Sequence, residues 1–277
     1  MTAIDPSAFD ALATDYDNSF TVSQLGRLLR ARVWTRLAAC FSPAQHLLEL
    51  ACGTGEDAVW LARRGLHVTA TDGSADMIGL ARAKADSANV PDRVDARHLS
   101  LQELIATGLS QKPDAPGRYR PDSTVKFDGV YSNFGGLNTI RDWRSLARRL
   151  AGLVKPRSLA LFVPMGPVCP WEIVWYLGHG QPRTAWRRRF GAATAQIGSS
   201  TIPIWYASPR LLAAEFSPWF DHIHTESLGL WLPPSYLGHF VDRWPGFFAR
   251  LCRLERKLAG LTGGWGDHYI IVFQHRG

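Results

Sequence analysis

The first 163 residues alternate between short apolar runs and stretches in which apolar residues recur at helical spacing. The runs that predict buried strands are 46–50, 66–71, 93–99, 127–132 and 158–163. Helical repeats lie before and between them, the first being Leu25, Leu29, Val33 and Leu37 within 22–41. Strands that alternate with helices are typical of a doubly wound α/β fold with a mostly parallel sheet, so we expect that fold here.

After Val163 the alternation becomes less regular. The segments that follow predict two short helices and a hairpin within 164–207, a strand over 223–232, a helix over 247–261 and a last strand over 268–273. In the helix over 247–261, Phe247, Leu251, Leu254 and Leu258 share one face and basic residues lie on the others. We expect seven strands in one sheet, with α/β cap insertions in the C-terminal half.

A glycine-rich turn separates the first strand from the helix that follows it. It reads Glu-Leu-Ala-Cys-Gly-Thr-Gly, from Glu49 to Gly55. Gly53 and Gly55 carry no Cβ, so the backbone can turn sharply there and approach a ligand, and the helix start offers free N–H groups. Asp72 ends the second strand, where a carboxylate can accept hydrogen bonds from a ribose diol. The pattern predicts a nucleoside pocket at the carboxyl edge of the sheet.

Charge at this turn distinguishes between kinds of nucleoside. Glu56 and Asp57 lie at the helix start, where a dinucleotide would place its pyrophosphate. Two carboxylates would repel that group, and they suit a cationic ligand without phosphate. S-adenosylmethionine, with its sulfonium and ammonium groups, has this character.

The same turn, followed by Thr-Asp-Gly-Ser-Ala-Asp-Met over 71–77, resembles the first two motifs of the Rossmann-like (class I) S-adenosylmethionine-dependent methyltransferases. The resemblance covers roughly residues 15–163 and implies an enzyme whose product is S-adenosylhomocysteine. It implies a Rossmann-like core with an N-terminal lid over 1–163. The less regular pattern that follows predicts a cap insertion over 164–207 and completion of the sheet over 208–277 with a second insertion over 233–266.

The resemblance also implies which residues bind the cofactor. Glu49, Ala51, Gly53 and Gly55 would frame the methionine moiety, Asp72 would hold the ribose, Gly73 and Met77 would line the adenine, Tyr16 would close over the ligand, and Asn133 would follow the fourth strand. The family usually has an aspartate where this chain has Ser100, followed by Leu101. We expect the Ser100 oxygen to accept from the adenine amine instead.

The acceptor is inferred from the second half of the chain. Asn133-Phe-Gly-Gly lacks the paired prolines of base-amine methyltransferases, so we expect no nucleic-acid partner. Aromatic residues such as Trp175 and Tyr206 crowd the cap segments and favour a small aromatic or apolar acceptor, methylated on oxygen or carbon, as in secondary metabolism. Methylation of a protein or RNA, and S-adenosylmethionine binding without catalysis, are the alternatives.

Methyl transfer requires that the acceptor be aligned with the methyl group, and some acceptors also require a base. We expect Asn133 to position the acceptor, His179 to act as the base and Tyr206 to assist by hydrogen bonding. The other histidines considered are His98, His239 and His268. No spacing predicts a metal site.

Composition adds three expectations. Four cysteines without paired spacing are interpreted as reduced thiols of a cytoplasmic protein. A net charge of +7 favours anionic partners in general. The helix over 247–261 is interpreted as a second wall of the acceptor site, with peripheral contact to an anionic membrane as the alternative. The oligomeric state is left open.

Overall fold

A computed structural model shows the architecture of the chain. The residues it describes are 9–10, 13, 16–107, 109, 126–197 and 200–277. Most of the proline-rich stretch over 111–126, the Asp15 position and residues 198–199 of the predicted hairpin turn lie outside the described residues.

Nine strands are described: β1 (His46–Leu50), β2 (His67–Asp72), β3 (Val94–His98), β4 (Phe127–Ser132), β5 (Val154–Phe162), β6 (Ala192–Ile197), β7 (Ser200–Trp205), β8 (Phe220–Leu228) and β9 (His268–His275). The described α-helices are α1 (Gln24–Cys40), α2 (Glu56–Ala62), α3 (Ala75–Ser87), α4 (Leu101–Thr107), α5 (Trp143–Leu153), α6 (Pro170–Gly178), α7 (Pro182–Ala185), α8 (Pro209–Phe216), α9 (His239–Arg243) and α10 (Pro245–Thr262). Shorter turns include a π-helix over Asp17–Thr21 and 3-10 turns over Gly136–Thr139, Arg187–Phe190 and Ser235–Leu237.

Seven strands form one sheet in the order β3-β2-β1-β4-β5-β9-β8. The first five are parallel, and β9 is antiparallel to both of its neighbours. The chain winds outward from β1 to β3 and then resumes on the other side of β1 with β4. This reversal opens a crevice at the carboxyl ends of β1 and β4, which is where open α/β sheets bind ligands.

Each face of the sheet is covered by its own hydrophobic cluster. One cluster packs the sheet against α1, α2 and α10, and the other packs it against α4, α5 and α8. In β1, Leu47 belongs to the first cluster and Leu48 to the second, as the alternation of side chains along a strand requires. The predicted seven-stranded, mostly parallel α/β sheet is confirmed.

The strand predicted over 223–232 corresponds to β8, which begins earlier, at Phe220, and ends earlier, at Leu228. Gly229 turns away with φ of +76°, and its N–H donates to Glu255 Oε1 at 2.8 Å. The Trp231 N–H donates to the other oxygen of Glu255 at 3.1 Å, and Arg32 pairs with this buried carboxylate at 2.9 Å. Backbone groups that would have extended the sheet are bound by a side chain of α10 instead.

The predicted face of α10 is wrong. The helix buries Phe248, Cys252, Glu255 and Ala259, so its buried face is rotated from the expected one. Phe247 and Leu254 are exposed. None of the described helices is long and apolar enough to cross a membrane.

The segment between β5 and α8 contains α6, α7 and the hairpin of β6 and β7, which pair with each other as a separate two-stranded sheet. Ile202 and Ile204 of β7 pack together with Tyr206, which follows this strand. The elements predicted within 164–207 are therefore present, and the division of the chain into core and cap stays a prediction.

Candidate functional site

A cavity of about 730 Å³ lies at the carboxyl ends of the central strands. The glycine turn, the end of β2, the segment after β4 and the N-terminal segment line one end of it. The 3-10 turn over Arg187–Phe190, the hairpin, and the residues before β9 line the other end. We call these the cofactor end and the acceptor end.

The glycine turn brings its backbone to the cavity. Ala51 and Gly53 line it and have φ of +52° and +54°, a conformation that a side chain disfavours. Gly55 was predicted to frame the ligand, but it is not among the cavity-lining residues. A Cβ on Gly55 would lie 2.7 Å from the Ala81 Cβ, so this glycine allows the start of α2 to pack on α3.

Asp72 lines the cavity at the end of β2. Its Oδ2 accepts from the Gly53 N–H at 2.8 Å and its Oδ1 accepts from the Ser74 N–H at 2.9 Å. These bonds fix the carboxylate, and each oxygen keeps a second lone pair for a ligand hydroxyl. Burial raises the pKa of Asp72. The predicted contact with a ribose diol fits this geometry.

A buried polar cluster supports the cofactor end from beneath. The Asp57 carboxylate accepts from Arg30 at 2.6 Å, from the Trp34 indole at 2.7 Å and from Asn133 Nδ2 at 2.9 Å. Its negative charge is therefore paired inside the protein. Glu56 is likewise paired with Lys84 at 2.9 Å. Both carboxylates line the cavity and already have cationic partners, so their preference for a cationic ligand stays a prediction.

At the cofactor end, three buried polar atoms of cavity-lining residues have no hydrogen-bond partner among the residues that the structure describes: Glu49 Oε2, Asn133 Oδ1 and Arg30 Nε. Two of them accept hydrogen bonds and one donates. The amino-acid end of S-adenosylmethionine offers an ammonium donor and a carboxylate acceptor, which complement this set. Burial raises the pKa of Glu49 well above its usual range, and a cationic ligand would lower it again.

Apolar side chains line the other part of the cofactor end. Gly73, Met77 and Leu101 lie there as predicted, together with Leu99 and Gln102, which the sequence analysis missed. This end of the cavity suits the flat, weakly polar surface of an adenine ring.

Ser100 also lines the cavity, and its hydroxyl caps the start of α4. It donates to Glu103 Oε2 at 2.7 Å and accepts from the Glu103 N–H at 3.2 Å, while the Ser100 N–H donates to the same carboxylate. This is a capping box at the start of α4, readable in the sequence as Ser-Leu-Gln-Glu. The Ser100 oxygen keeps a second lone pair, so the expected contact with the adenine amine stays a prediction.

Tyr16 lies over the glycine turn, with its ring 4.0 Å from where a Cβ of Gly53 would be. Burial raises the pKa of Tyr16 to about 12, so its hydroxyl stays protonated. The neighbouring Asp17 accepts from Thr54 Oγ1 at 2.7 Å and pairs with Lys84 at 2.8 Å. These contacts fasten the N-terminal segment to the turn, and its action as a lid stays a prediction.

The acceptor end combines aromatic and charged side chains. Tyr206 lines it, as predicted, and Phe134 and Tyr236 add aromatic surface. Every tryptophan is absent from the described cavity-lining residues, including Trp175, which packs on Phe240. Of the two cap aromatics named from the sequence, Tyr206 therefore lines the cavity and Trp175 does not.

His179 lies outside the cavity. It is exposed at the end of α6, and its Nδ1 contacts the Trp175 carbonyl at 2.7 Å. His268 lies at the acceptor end instead. Position thus favours His268 over His179 as the base.

The structure also brings Arg187, Arg188 and Asp267 to the acceptor end. The three consecutive arginines over 187–189 have the composition of an exposed surface, yet Arg188 is buried among Glu172, Asp267 and backbone carbonyls. No local pattern distinguishes this arginine from its exposed neighbour Arg189. Its partners come from α6 and from the residue before β9, which are far apart in the sequence.

Comparisons with known proteins agree with this geometry. Residues 47–157 match the family model described as "Methyltransferase domain". A demethylmenaquinone methyltransferase of Corynebacterium urealyticum is 31% identical over 165 residues, which are 58% of this chain and 60% of that protein. The chain spans little more than half the length of the curated relatives it matches.

Solved structures resemble the chain over nearly its whole length. DhpI in complex with S-adenosylhomocysteine aligns with a TM-score of 0.57 and 17% identity, covering 98% of this chain and 95% of that one. The cyclase SpnF aligns with a TM-score of 0.60 and 13% identity, covering 99% and 98%. At these identities the likeness establishes the fold.

The Asp57 cluster should dominate the stability of this region. We expect Asp57→Asn to lower the free energy of unfolding by about 3–5 kcal/mol, because it leaves the Arg30 guanidinium buried without its counter-charge. Urea unfolding followed by circular dichroism measures this. Asp221→Asn is the matched control, since Asp221 pairs with Arg276 at the surface and should change stability by at most about 1 kcal/mol. Equal losses in the two variants would contradict the assignment.

Asp72 should govern cofactor affinity. We expect Asp72→Ala to weaken S-adenosylhomocysteine binding by about 1.5–3 kcal/mol, because a ribose diol would lose a charge-assisted partner. Isothermal titration calorimetry measures the affinity. Asp76→Ala, an exposed carboxylate on α3, is the control and should bind like the wild type. Unchanged affinity in Asp72→Ala would remove Asp72 from the site.

Proposed function

Since the chain carries a Rossmann-like (class I) S-adenosylmethionine-dependent methyltransferase domain, we propose that it transfers the methyl group of S-adenosylmethionine to a small aromatic or apolar molecule, on oxygen or carbon. The observation that carries this proposal is one continuous cavity with two chemically different ends. The cofactor end complements a zwitterionic nucleoside, and the acceptor end offers aromatic walls.

The proposed cofactor orientation follows from the residues of the cofactor end. Glu49, Asn133 and Arg30 would receive the amino-acid group, because their unpartnered atoms complement its charges. Asp72 would hold the ribose, and Met77 would lie against the adenine. This order directs the sulfonium methyl toward the acceptor end.

Methyl transfer from a sulfonium is an in-line displacement, so the protein contributes mainly by aligning the acceptor and excluding water. Phe134 is suited to that task. It has φ of +49°, unusual for a bulky residue, and its ring packs edge-on to Phe20 at 5.1 Å and to His268 at 5.8 Å. A backbone conformation of this kind persists where surrounding contacts enforce it. Phe134 would thus separate the two ends while leaving a path for the methyl group.

The acceptor class is supported by two observations. The relatives named demethylmenaquinone methyltransferases are named for an aromatic, apolar acceptor. The acceptor end of this chain carries Tyr206, Tyr236 and Phe134 around a concave surface, which suits a small ring better than an RNA or protein chain.

To test the proposed function, the protein is incubated with S-adenosylmethionine and a panel of hydroxylated aromatics that includes a naphthohydroquinone, and release of S-adenosylhomocysteine is measured. We expect release with at least one small aromatic. Release only with RNA or protein, or no release although S-adenosylhomocysteine binds, would contradict the proposal in favour of its two alternatives.

Tyr206 should separate turnover from cofactor binding. We expect Tyr206→Ala to lower turnover about a hundredfold through acceptor misalignment, with calorimetric affinity for S-adenosylhomocysteine nearly intact. Trp175→Ala removes a comparable aromatic from the cap but outside the cavity, and should retain most of the turnover. A larger loss of turnover in Trp175→Ala than in Tyr206→Ala would show that Trp175, rather than Tyr206, contacts the acceptor.

The outer face of α10 supports an additional proposal, contact with an anionic membrane that supplies an apolar acceptor. Phe247 and Leu254 are exposed beside the exposed cations Arg250 and Arg253, and α10 contributes nothing to the described cavity lining. Exposed apolar and basic residues on one helix are typical of interfacial helices.

We expect the protein to sediment with vesicles rich in phosphatidylglycerol and to lose that binding in the double variant Arg250→Glu, Arg253→Glu. Vesicles of phosphatidylcholine alone are the control. Equal recovery in the supernatant with both vesicle types would exclude a membrane role for this face.

A further inference from the structure

The acceptor end contains a histidine and a carboxylate that cofactor binding does not use. We propose that His268, oriented by Asp267, removes the proton from a phenol-type hydroxyl, so that the acceptor is a hydroxylated aromatic molecule methylated on oxygen. This inference rests on the proposed function and narrows its acceptor class.

The geometry of the pair carries the proposal. His268 Nδ1 lies 3.2 Å from Asp267 Oδ2, and both side chains are less than a tenth exposed. Nδ1 is the ring nitrogen nearest the carboxylate, although the two groups are not aligned as a hydrogen bond, and Nε2 is the nitrogen left for the cavity that His268 lines. A carboxylate beside one ring nitrogen is the arrangement that orients a histidine general base.

Asp267 is held in its charged form. Its Oδ1 accepts from Arg188 at 2.7 Å. Burial alone would raise the pKa of Asp267, but His268 and Arg188 keep this pKa well below its usual range. The carboxylate beside His268 therefore carries its negative charge while paired with Arg188.

The charges around this pair are balanced without an acceptor. Arg188 and Arg187 both bind Glu172, a buried residue of α6, and Arg188 also binds Asp267. The two arginines and two carboxylates sum to zero. A proton arriving on His268 adds one positive charge, which an oxyanion formed beside it would neutralise.

The position of His268 places it next to the cofactor end. The Phe134 ring lies 5.8 Å from the His268 ring, and the Arg30 guanidinium lies 4.9 Å from the centre of the Phe134 ring. Phe134 directly follows Asn133, which also lines the cavity. An acceptor in contact with His268 would therefore lie beside the residues proposed to hold S-adenosylmethionine.

Two further features favour an aromatic oxygen acceptor. Arg187 Nε is buried and has no hydrogen-bond partner among the described residues, so a donor is left for an acceptor oxygen. Tyr206 lies beneath the Arg188 guanidinium, and Tyr236 donates to Glu172, so both rings are fixed by the same charged cluster. Rigid aromatic walls beside a donor and a base suit a phenol.

The proposed step balances. The hydroxyl proton passes to His268 Nε2, and the oxygen lone pair forms the new bond to the methyl carbon. The carbon–sulfur bond breaks, its electron pair stays on sulfur, and S-adenosylhomocysteine leaves as a neutral thioether. His268 then loses its proton to water, so no oxidant or other co-reactant is needed.

The test measures proton transfer without turnover. The protein saturated with S-adenosylhomocysteine is titrated with para-nitrophenol at a pH below the pKa of the free phenol, and the visible band of the phenolate is recorded. We expect the band in the wild type. In His268→Gln the band should be lost, while affinity for S-adenosylhomocysteine by calorimetry and the melting temperature stay close to those of the wild type.

Three more variants complete the test. His222→Gln removes a histidine that contacts Thr225 at the surface and should keep the band. His179→Gln tests the base predicted from the sequence and should also keep it. Asp267→Asn retains a side chain for Arg188 and should weaken the band without abolishing S-adenosylhomocysteine binding, which keeps the proposal testable if His268→Gln unfolds.

A second readout comes from turnover of phenols of graded acidity. We expect His268→Gln to lose about a hundredfold or more with a weakly acidic phenol and to recover as the phenol becomes acidic enough to arrive ionised. A purely structural role would lower turnover equally for all of them. Three outcomes would overturn this inference while leaving the proposed function intact. They are a band that persists in His268→Gln, a band that is lost in His179→Gln, and no band in a wild type that binds S-adenosylhomocysteine. A wild type that does not bind S-adenosylhomocysteine would overturn the proposed function itself.

Discussion

The buried carboxylate of Asp57 is the interaction on which the cofactor end depends. It lies at the start of α2 and binds Arg30 and Trp34 from α1, as well as Asn133 from the segment after β4. One side chain thus connects an N-terminal helix, the glycine turn and the central strand. A buried charge that lost one of these partners would be costly, so the three elements are constrained to move together. The same interaction holds Arg30 and Asn133, both of which line the cavity.

The acceptor end has a different support. Arg188 binds both Glu172 and Asp267, and these residues belong to the segments before and after the cap hairpin. No described ion pair joins Arg188, Glu172 or Asp267 to the Asp57 cluster. Phe134 lies between the two charged clusters, in contact with His268 and Arg30. A site built on two separate buried networks allows one half to keep the cofactor geometry while the other half is altered to suit an acceptor.

The accuracy of the sequence predictions follows this division. The glycine turn, Asp72 and Met77 lie close together in the sequence, and their spacing alone places them at one sheet edge, so they could be predicted. Ser100 was assigned by resemblance to a ligand contact, although the local pattern with Glu103 is that of a helix cap. Gly55 was assigned for the same reason, and only the packing of α2 on α3 reveals its structural role.

The acceptor end could not be predicted because its residues meet only through tertiary structure. Asp267 and Arg188 are separated by 79 positions, and the arginine lies in a run that has the composition of an exposed surface. His179 was favoured for its position between two glycines, a feature that indicates a turn and says nothing about which cavity the turn faces. The residues of this site lie on β9, α6 and a 3-10 turn, so no single helical or strand repeat in the sequence connects them. The chemistry of the acceptor end therefore has to be inferred from burial and pairing, and these single out His268.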